Sequence, residues 1–220
     1  MSDRSQRRHE LTRTEIKAAA RTHLVGSGPA GISLRAIARD MGITAPALYR
    51  YYPALDSLIL ELCTDLHIEL RLACEAKRDL EPAGDPVARL GAMAREFRHW
   101  VLAHRPEAAL IFGPPLPGVD QFHQQCEDLN HAGAQFGMIF LNELMTLHDQ
   151  GRLPVRDKLA EHEAVPPEVY TYFLVKWTQF YGLIMAEAFG HLSWAVDDAE
   201  PLFEAELQAF TDSLISKVAA

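Results

Sequence analysis

ISLRAIARDMGITAPALYRYYPALDSL, running from Ile32 to Leu58, reads as two short helices folded around a tight turn. Leu34, Ile37, Ala38 and Met41 recur at helical spacing and give the first helix one apolar face. Ser33 is placed to cap its start, and Gly42 ends it. Thr44 caps a second helix, with Pro46 in the first turn, where backbone N–H groups lack helical partners anyway. Ile43 and Leu48 point inward, which turns Thr44, Ala45, Ala47, Tyr49, Arg50 and Tyr51 outward; Pro53 closes the helix. This is the layout of a helix-turn-helix, whose second helix enters the DNA major groove.

Two amphipathic helices around a glycine also occur in helical proteins that never meet DNA, and charge weighs between the two readings. Residues 1–53 carry nine Lys/Arg against four Asp/Glu, a net of +5, whereas the remaining 167 residues hold twelve basic and twenty-six acidic residues, a net of −14. A basic head on an acidic body fits a module that faces phosphates, attached to a body that stays off them. The whole-chain charge of −9 hides this asymmetry.

Residues from about 12 to 60 resemble the N-terminal domain of the TetR family of one-component transcriptional regulators. The matching skeleton is Ile16, Ala19 and Ala20, then Gly28, Ile32 through Met41, Gly42 and Ile43, Leu48 and Tyr49, Tyr51 to Pro53, and Leu58. The downstream body resembles the TetR subgroup with a tryptophan–histidine–glycine type C-terminal domain. It does so through Arg105-Pro106, Leu110 to Gly113, Pro117-Gly118, Trp177, Gly182 and Gly190-His191, although Tyr181 stands where the signature histidine is expected. The resemblance implies an all-α fold, with an N-terminal arm and three-helix DNA-binding domain over residues 1–54. A helical effector-binding and dimerisation domain follows over 55–220, with 55–80 as the linking helix. By position it implies base contacts from Arg35, Thr44, Ala45, Pro46 and Ala47, and phosphate contacts from Tyr49, Arg50 and Tyr51. The family commonly has a lysine where this chain has Leu55, so one phosphate contact is missing.

Length allows a small head and a larger body, each with its own core. Cys63, Cys74 and Cys126 have no metal-ligand spacing and read as buried thiols; with no signal peptide they point to a reducing cytoplasm. Residues 1–9, with Arg4, Arg7 and Arg8, read as a disordered basic arm, either a frayed terminus or a phosphate contact. Gly26-Ser-Gly-Pro-Ala-Gly31 spells a dinucleotide-binding fingerprint, but it follows a helix and not a strand, which argues against that chemistry.

No strand pattern appears. Apolar stripes predict helices over Leu11–Val25, Leu55–Leu80, a stretch ending at His104, Gln121–Gln150, Glu168–Phe189 and Asp198–Val218. A short segment is expected from Arg105 to Phe112, and a loop with a short helix from Gly151 to Pro167. The apolar run Val169–Phe189 is broken by Lys176, Gln179 and Glu187 and does not read as a membrane span. Phe180, Gly182, Ile184 and Ala186, with Phe203, Leu207, Phe210 and Leu214, resemble the family's two-helix dimer face, or else complete the monomer's own core.

Phe97, Trp100, Phe112, Phe136, Phe140, Trp177 and Tyr181 are candidates to line an effector pocket, with His99 and Asn142 orienting the ligand; the competing reading is plain core. The expected partners are therefore a double-stranded DNA operator, a second copy of the chain, and a small, mainly apolar or aromatic effector. A regulator controlled by a protein partner, or by no effector, stays open. An enzyme is the remote alternative: ten histidines are present, but no H-E-x-x-H, G-x-S-x-G or P-loop, and no catalytic residue, metal or cofactor is assigned.

Overall fold

The computed structural model describes residues 3–114, 131–154 and 158–215. The predicted helix start at Gln121, with Phe122 and Leu129, and Cys126 fall outside them. The described residues form nine α-helices: α1 (Asp3–Ser27), α2 (Leu34–Asp40), α3 (Ala45–Tyr49), α4 (Leu55–Arg78), α5 (Pro86–Ala103), α6 (Arg105–Phe112), α7 (Ala132–Asp149), α8 (Pro167–Ala188) and α9 (Glu200–Ile215). Among them the sole β feature is an isolated bridge between His162 and Val165, where a short helix was expected. None of these helices is long and apolar enough to cross a membrane. The chain divides into two compact units, Met1–Ile68 with His104–Ala134, and Glu69–Ala103 with Gln135–Ala220.

The first unit is built on α1, where Ile16, Ala20 and Leu24, four residues apart, are fully buried. Asp3 to Glu10 continues this helix, which corrects the expected disordered arm. Thr12 and Thr14 return their hydroxyls to the carbonyls of Arg8 and Glu10 (both 3.1 Å), and the His9 ring lies 4.7 Å from that of Tyr51. Gly28 ends α1 with φ +71° and donates its N–H to Leu24, and a 3₁₀ turn at Pro29–Gly31 leads to α2. The fingerprint-like glycines are therefore a helix–helix corner.

Between α2 and α3 the turn is made by local chemistry. Gly42 adopts φ +66°. Its N–H donates to Arg39 (3.1 Å) and the Ile43 N–H donates back to Ala38 (2.9 Å), so the last carbonyls of α2 are satisfied around a left-handed residue. Thr44 caps α3, its hydroxyl accepting from the Ala47 N–H at 3.3 Å. Ser33 makes no side-chain capping bond, contrary to expectation; its backbone carbonyl accepts from Ile37 instead. Gly42→Ala leaves ample space around the new methyl group but forces an L-residue to positive φ. It is expected to cost about 1 kcal/mol, read as a lower urea midpoint at unchanged m.

Helix α6 belongs to this unit as well. Its Glu107, almost fully buried, receives Arg21 of α1 at 3.1 Å. His67 on α4 is also buried, and its Nδ1 lies 2.9 Å from the Cys63 carbonyl, so that nitrogen carries the proton. The Phe112 ring stands edge-on to His67 at 5.8 Å, and His131 lies 6.2 Å away. Burial, with help from His131, pushes the His67 pKa down to about 4. An unfolded histidine titrates near 6.5, so the unfolded chain binds more protons between those values. Stability present above about pH 6.5 is thus lost as pH falls toward 4, by about 3 kcal/mol for this one group. His67→Phe should flatten that part of the denaturation-versus-pH curve, and a parallel curve would contradict the assignment.

In the second unit α5 packs against both α8 and α9. Its inner face carries Leu90, Met93, Phe97 and Val101. Its flank carries arginines that reach other helices: Arg89 to Glu143 on α7 (2.8 Å), Arg95 to Glu204 on α9 (2.8 Å) and Arg98 to Glu187 on α8 (2.6 Å). The segment before α8 is held by Thr171, whose hydroxyl accepts from the N–H groups of Leu159 (3.0 Å) and Ala160 (3.2 Å). The α4 helix passes from one unit to the other and keeps one buried stripe throughout, including Leu58, Leu62, Leu66, Leu70 and Cys74. Burial pushes the Cys63 thiol up to about 12 and raises that of Cys74, so both thiols stay protonated and unreactive.

Candidate functional site

In the first unit the α2–α3 pair presents one solvent face. Arg35, Thr44, Pro46, Tyr49 and Arg50 are exposed, Ala45, Ala47 and Tyr51 are partly covered, and Leu48 is fully buried beneath them. Arg35 and Tyr49 flank a shallow groove completed by Ile32, Ala54 and Leu55. Small residues at Ala45 and Ala47, with hydroxyl and guanidinium groups on either side, leave room for a base edge to approach. Leu55, at the start of α4, is an apolar wall of that groove.

What holds this face is Tyr52, which the sequence reading left without a role beyond its place in the motif. Its ring is fully buried, its hydroxyl donates to Glu61 Oε2 at 2.8 Å, and the Arg13 guanidinium covers the ring at 4.6 Å. Arg13 also pairs with Glu61 and donates to the Tyr51 carbonyl at 3.2 Å. Lys17 pairs with Asp65 further along α4. One knot of side chains therefore ties α1, the end of α3 and α4 together. Glu61 and Arg13 stand on two different helices, outside any helical spacing from Tyr52, so no periodicity signals the contact.

The second unit holds a part-open cavity of about 50 Å³, lined by α5, α7, α8 and α9. Of the nine residues expected to line a pocket, Phe97, Phe140 and Trp177 do so. Trp177 stacks on Phe97 at 5.8 Å with an interplanar angle of 12°, and Phe140 meets it edge-on. Phe136 lies behind them, buried against all three rings. Tyr181 continues the stack at 6.5 Å from Trp177, and burial raises its pKa. The others are elsewhere. Trp100 is buried with its indole N–H on Glu69 at 3.2 Å, His99 and Asn142 are exposed, and Phe112 sits in the first unit beside His67.

Sequence reasoning missed Leu90, Ala94, Leu144, Phe173 and Lys176 in the cavity wall. Phe180, Ile184 and Phe210, which the sequence places either on a dimer face or in the monomer's own core, line this cavity. Phe203, Leu207 and Leu214 are likewise buried within the unit, Phe203 meeting Phe180 at 5.9 Å. Gly182 is exposed, with open space where a Cβ would stand, and Ala186 is half-buried. The solvent-facing stripe of α8 is Val175, Thr178, Gln179 and Gly182; that of α9 includes Leu202, Ala205 and Ala209. Thr178, Gln179 and Gly182 on α8, and Ala205 and Ala209 on α9, are the small and polar members.

Residues 90–210 match the family model for the tetracyclin repressor-like C-terminal domain. Two curated relatives are the HTH-type transcriptional regulators Rv1816 of Mycobacterium tuberculosis (strain H37Rv) and Mb1846 of Mycobacterium bovis. Each is 35% identical over 109 residues, covering 50% of this chain and 47% of the relative. The matched region thus spans about half the length of these relatives. Among solved structures, the regulatory protein SCO4313 superposes with a TM-score of 0.72 at 25% identity, covering 96% of this chain and 98% of that one. RolR, crystallised with its ligand resorcinol, shares the fold with a TM-score of 0.60 at 15% identity, covering 96% of each chain.

Proposed function

Since the chain belongs to the tetracyclin repressor-like (TetR) family of transcriptional regulators, we propose that it is a ligand-responsive repressor that binds a near-palindromic operator as a homodimer. The observation that carries this reading is the exposed α2–α3 face, with Arg35, Thr44, Pro46, Tyr49 and Arg50 displayed above buried Leu48 on the basic part of the chain. Arg35 and the start of α3 read base edges; Tyr49, Arg50 and Tyr51 grip phosphates. A twofold dimer places its two recognition helices about 34–36 Å apart, on successive major grooves. The exposed stripes of α8 and α9 are the faces offered to the partner copy, and their small residues permit close helix approach.

The second-unit cavity is the effector site in this reading. Its stacked rings suit an apolar or aromatic molecule. The resorcinol bound by RolR, a protein of the same fold, supports a ligand of one aromatic ring. Such a ligand releases DNA by favouring a dimer geometry that no longer fits adjacent grooves; a tenfold loss of operator affinity needs about 1.4 kcal/mol of preference between the two states. The continuous α4 helix connects the two sites along the chain.

Arg50→Ala tests the phosphate-gripping assignment. Binding should weaken about equally for operator and random DNA, and the slope of log K against log salt should flatten by about one unit. An unchanged slope removes Arg50 from the phosphate contacts. Arg35→Ala should instead narrow the gap between operator and random DNA.

A further inference from the structure

We propose that the ligand taken by the second-unit cavity is a single-ring aromatic acid, with Lys176 receiving its anionic group. The inference rests on reading that cavity as the effector site and adds the charge and size of the occupant.

Ten of the eleven residues around the cavity are apolar, and Lys176 is the one that carries charge. The lysine is built into the wall: its side chain is 23% exposed, and its ammonium lies 5.8 Å over the Phe210 ring. Its charged neighbour is Glu206, whose Oε1 stands 3.8 Å away, beyond hydrogen-bond distance, and Glu206 is not part of the cavity wall. The ammonium therefore has donor capacity to spare, at the edge of an otherwise apolar slot. An anion there gains a charge-assisted hydrogen bond where water is largely excluded, and a neutral ligand of the same shape does not. Volume limits the rest of the molecule. At about 50 Å³ the cavity is several times the roughly 10–15 Å³ that one water requires but only about a third of the roughly 150 Å³ of an apolar cavity that binds benzene, so even one ring enters only as the wall side chains give way, and a fused system has no room. Trp177 and Phe97, their planes nearly parallel, with Phe140 edge-on, offer that ring both stacking and edge contacts.

The test is isothermal titration of the full chain with benzoate and with benzamide, its neutral isostere. Wild type should bind benzoate about tenfold more tightly than benzamide, the factor expected of one charge-assisted hydrogen bond over a neutral one. In Lys176→Met, which keeps an apolar stem of similar length, benzamide affinity should hold and the preference should vanish. Glu206→Gln, which removes the competing carboxylate without touching the wall, should tighten benzoate and leave benzamide unchanged; it also serves if the lysine variant fails to fold. Equal affinity for the two ligands in wild type, or a preference that survives Lys176→Met, overturns the anion assignment and leaves the effector-site reading standing. Failure of both ligands to bind at millimolar concentration overturns the two together.

Discussion

Tyr52→Ala is expected to remove about 3–5 kcal/mol from the stability of the first unit, the range for deleting a fully buried aromatic ring. Tyr52 is 0% exposed, bonded to Glu61 at 2.8 Å and capped by Arg13 at 4.6 Å. Its loss empties a space enclosed by three helices and removes the ring and hydroxyl that Arg13 and Glu61 hold between them. Tyr52→Phe keeps the ring and removes only the hydroxyl, so it should cost about 1 kcal/mol. The two variants separate packing from hydrogen bonding in one urea series. Because Tyr52 sits immediately after α3, the alanine variant should also lose DNA binding, whereas the phenylalanine variant should keep it. An alanine variant as stable as wild type would mean that this knot does not hold the recognition helix.

The second large effect is expected at Arg98. Its guanidinium meets Glu187 at 2.6 and 2.8 Å and Glu200 at 3.3 Å, and its carbon-bound face lies 5.5 Å over the Phe203 ring. Arg98 and Glu187 are only 13% and 14% exposed, so removing Arg98 leaves the Glu187 charge short of both water and a counter-ion. Arg98→Ala should therefore cost about 3–5 kcal/mol. Removing Glu187 as well should return part of that loss, giving a coupling energy of a few kcal/mol in a double-mutant cycle. The neighbouring pair Arg95–Glu204 has similar geometry but is 56% and 40% exposed, and its cycle should give about 1 kcal/mol or less. Equal coupling at the two pairs would contradict the role given to burial.

The difference between what the chain announces and what only the fold discloses follows from the range of the interactions. The α2–α3 turn was legible because Gly42 and Thr44 act on their own backbone within five residues. The outward face of α3 was legible because one buried residue, Leu48, sets the rotation of so short a helix. The first turns of α1 were not legible as helix. Asp3 to Glu10 has no apolar periodicity, yet its Arg, Gln and Glu residues are good helix formers that extend a helix already nucleated by Ile16, Ala20 and Leu24.

The rotation of α8 was the least legible feature. That helix is apolar nearly all round, so hydrophobicity says that it is covered without saying which side faces which neighbour. Phe180 and Ile184 accordingly fit either a dimer face or the monomer's own core, and only the fold shows them turned into the cavity with Phe210. Lys176 was read only as an interruption of an apolar run; its place in the cavity wall depends on the same rotation. The membership of α6 in the first unit was invisible for another reason. Its tie to α1 joins Arg21 to Glu107, 86 residues apart.

The central property proposed for the chain is sequence-specific binding of double-stranded DNA by a pair of copies. The decisive measurement is fluorescence anisotropy of the full chain on DNA fragments flanking its own gene, across a salt series. It should give saturable binding to one near-palindromic site, with two chains per site and affinity falling steeply as salt rises. Equal affinity for random DNA at every salt concentration would contradict it.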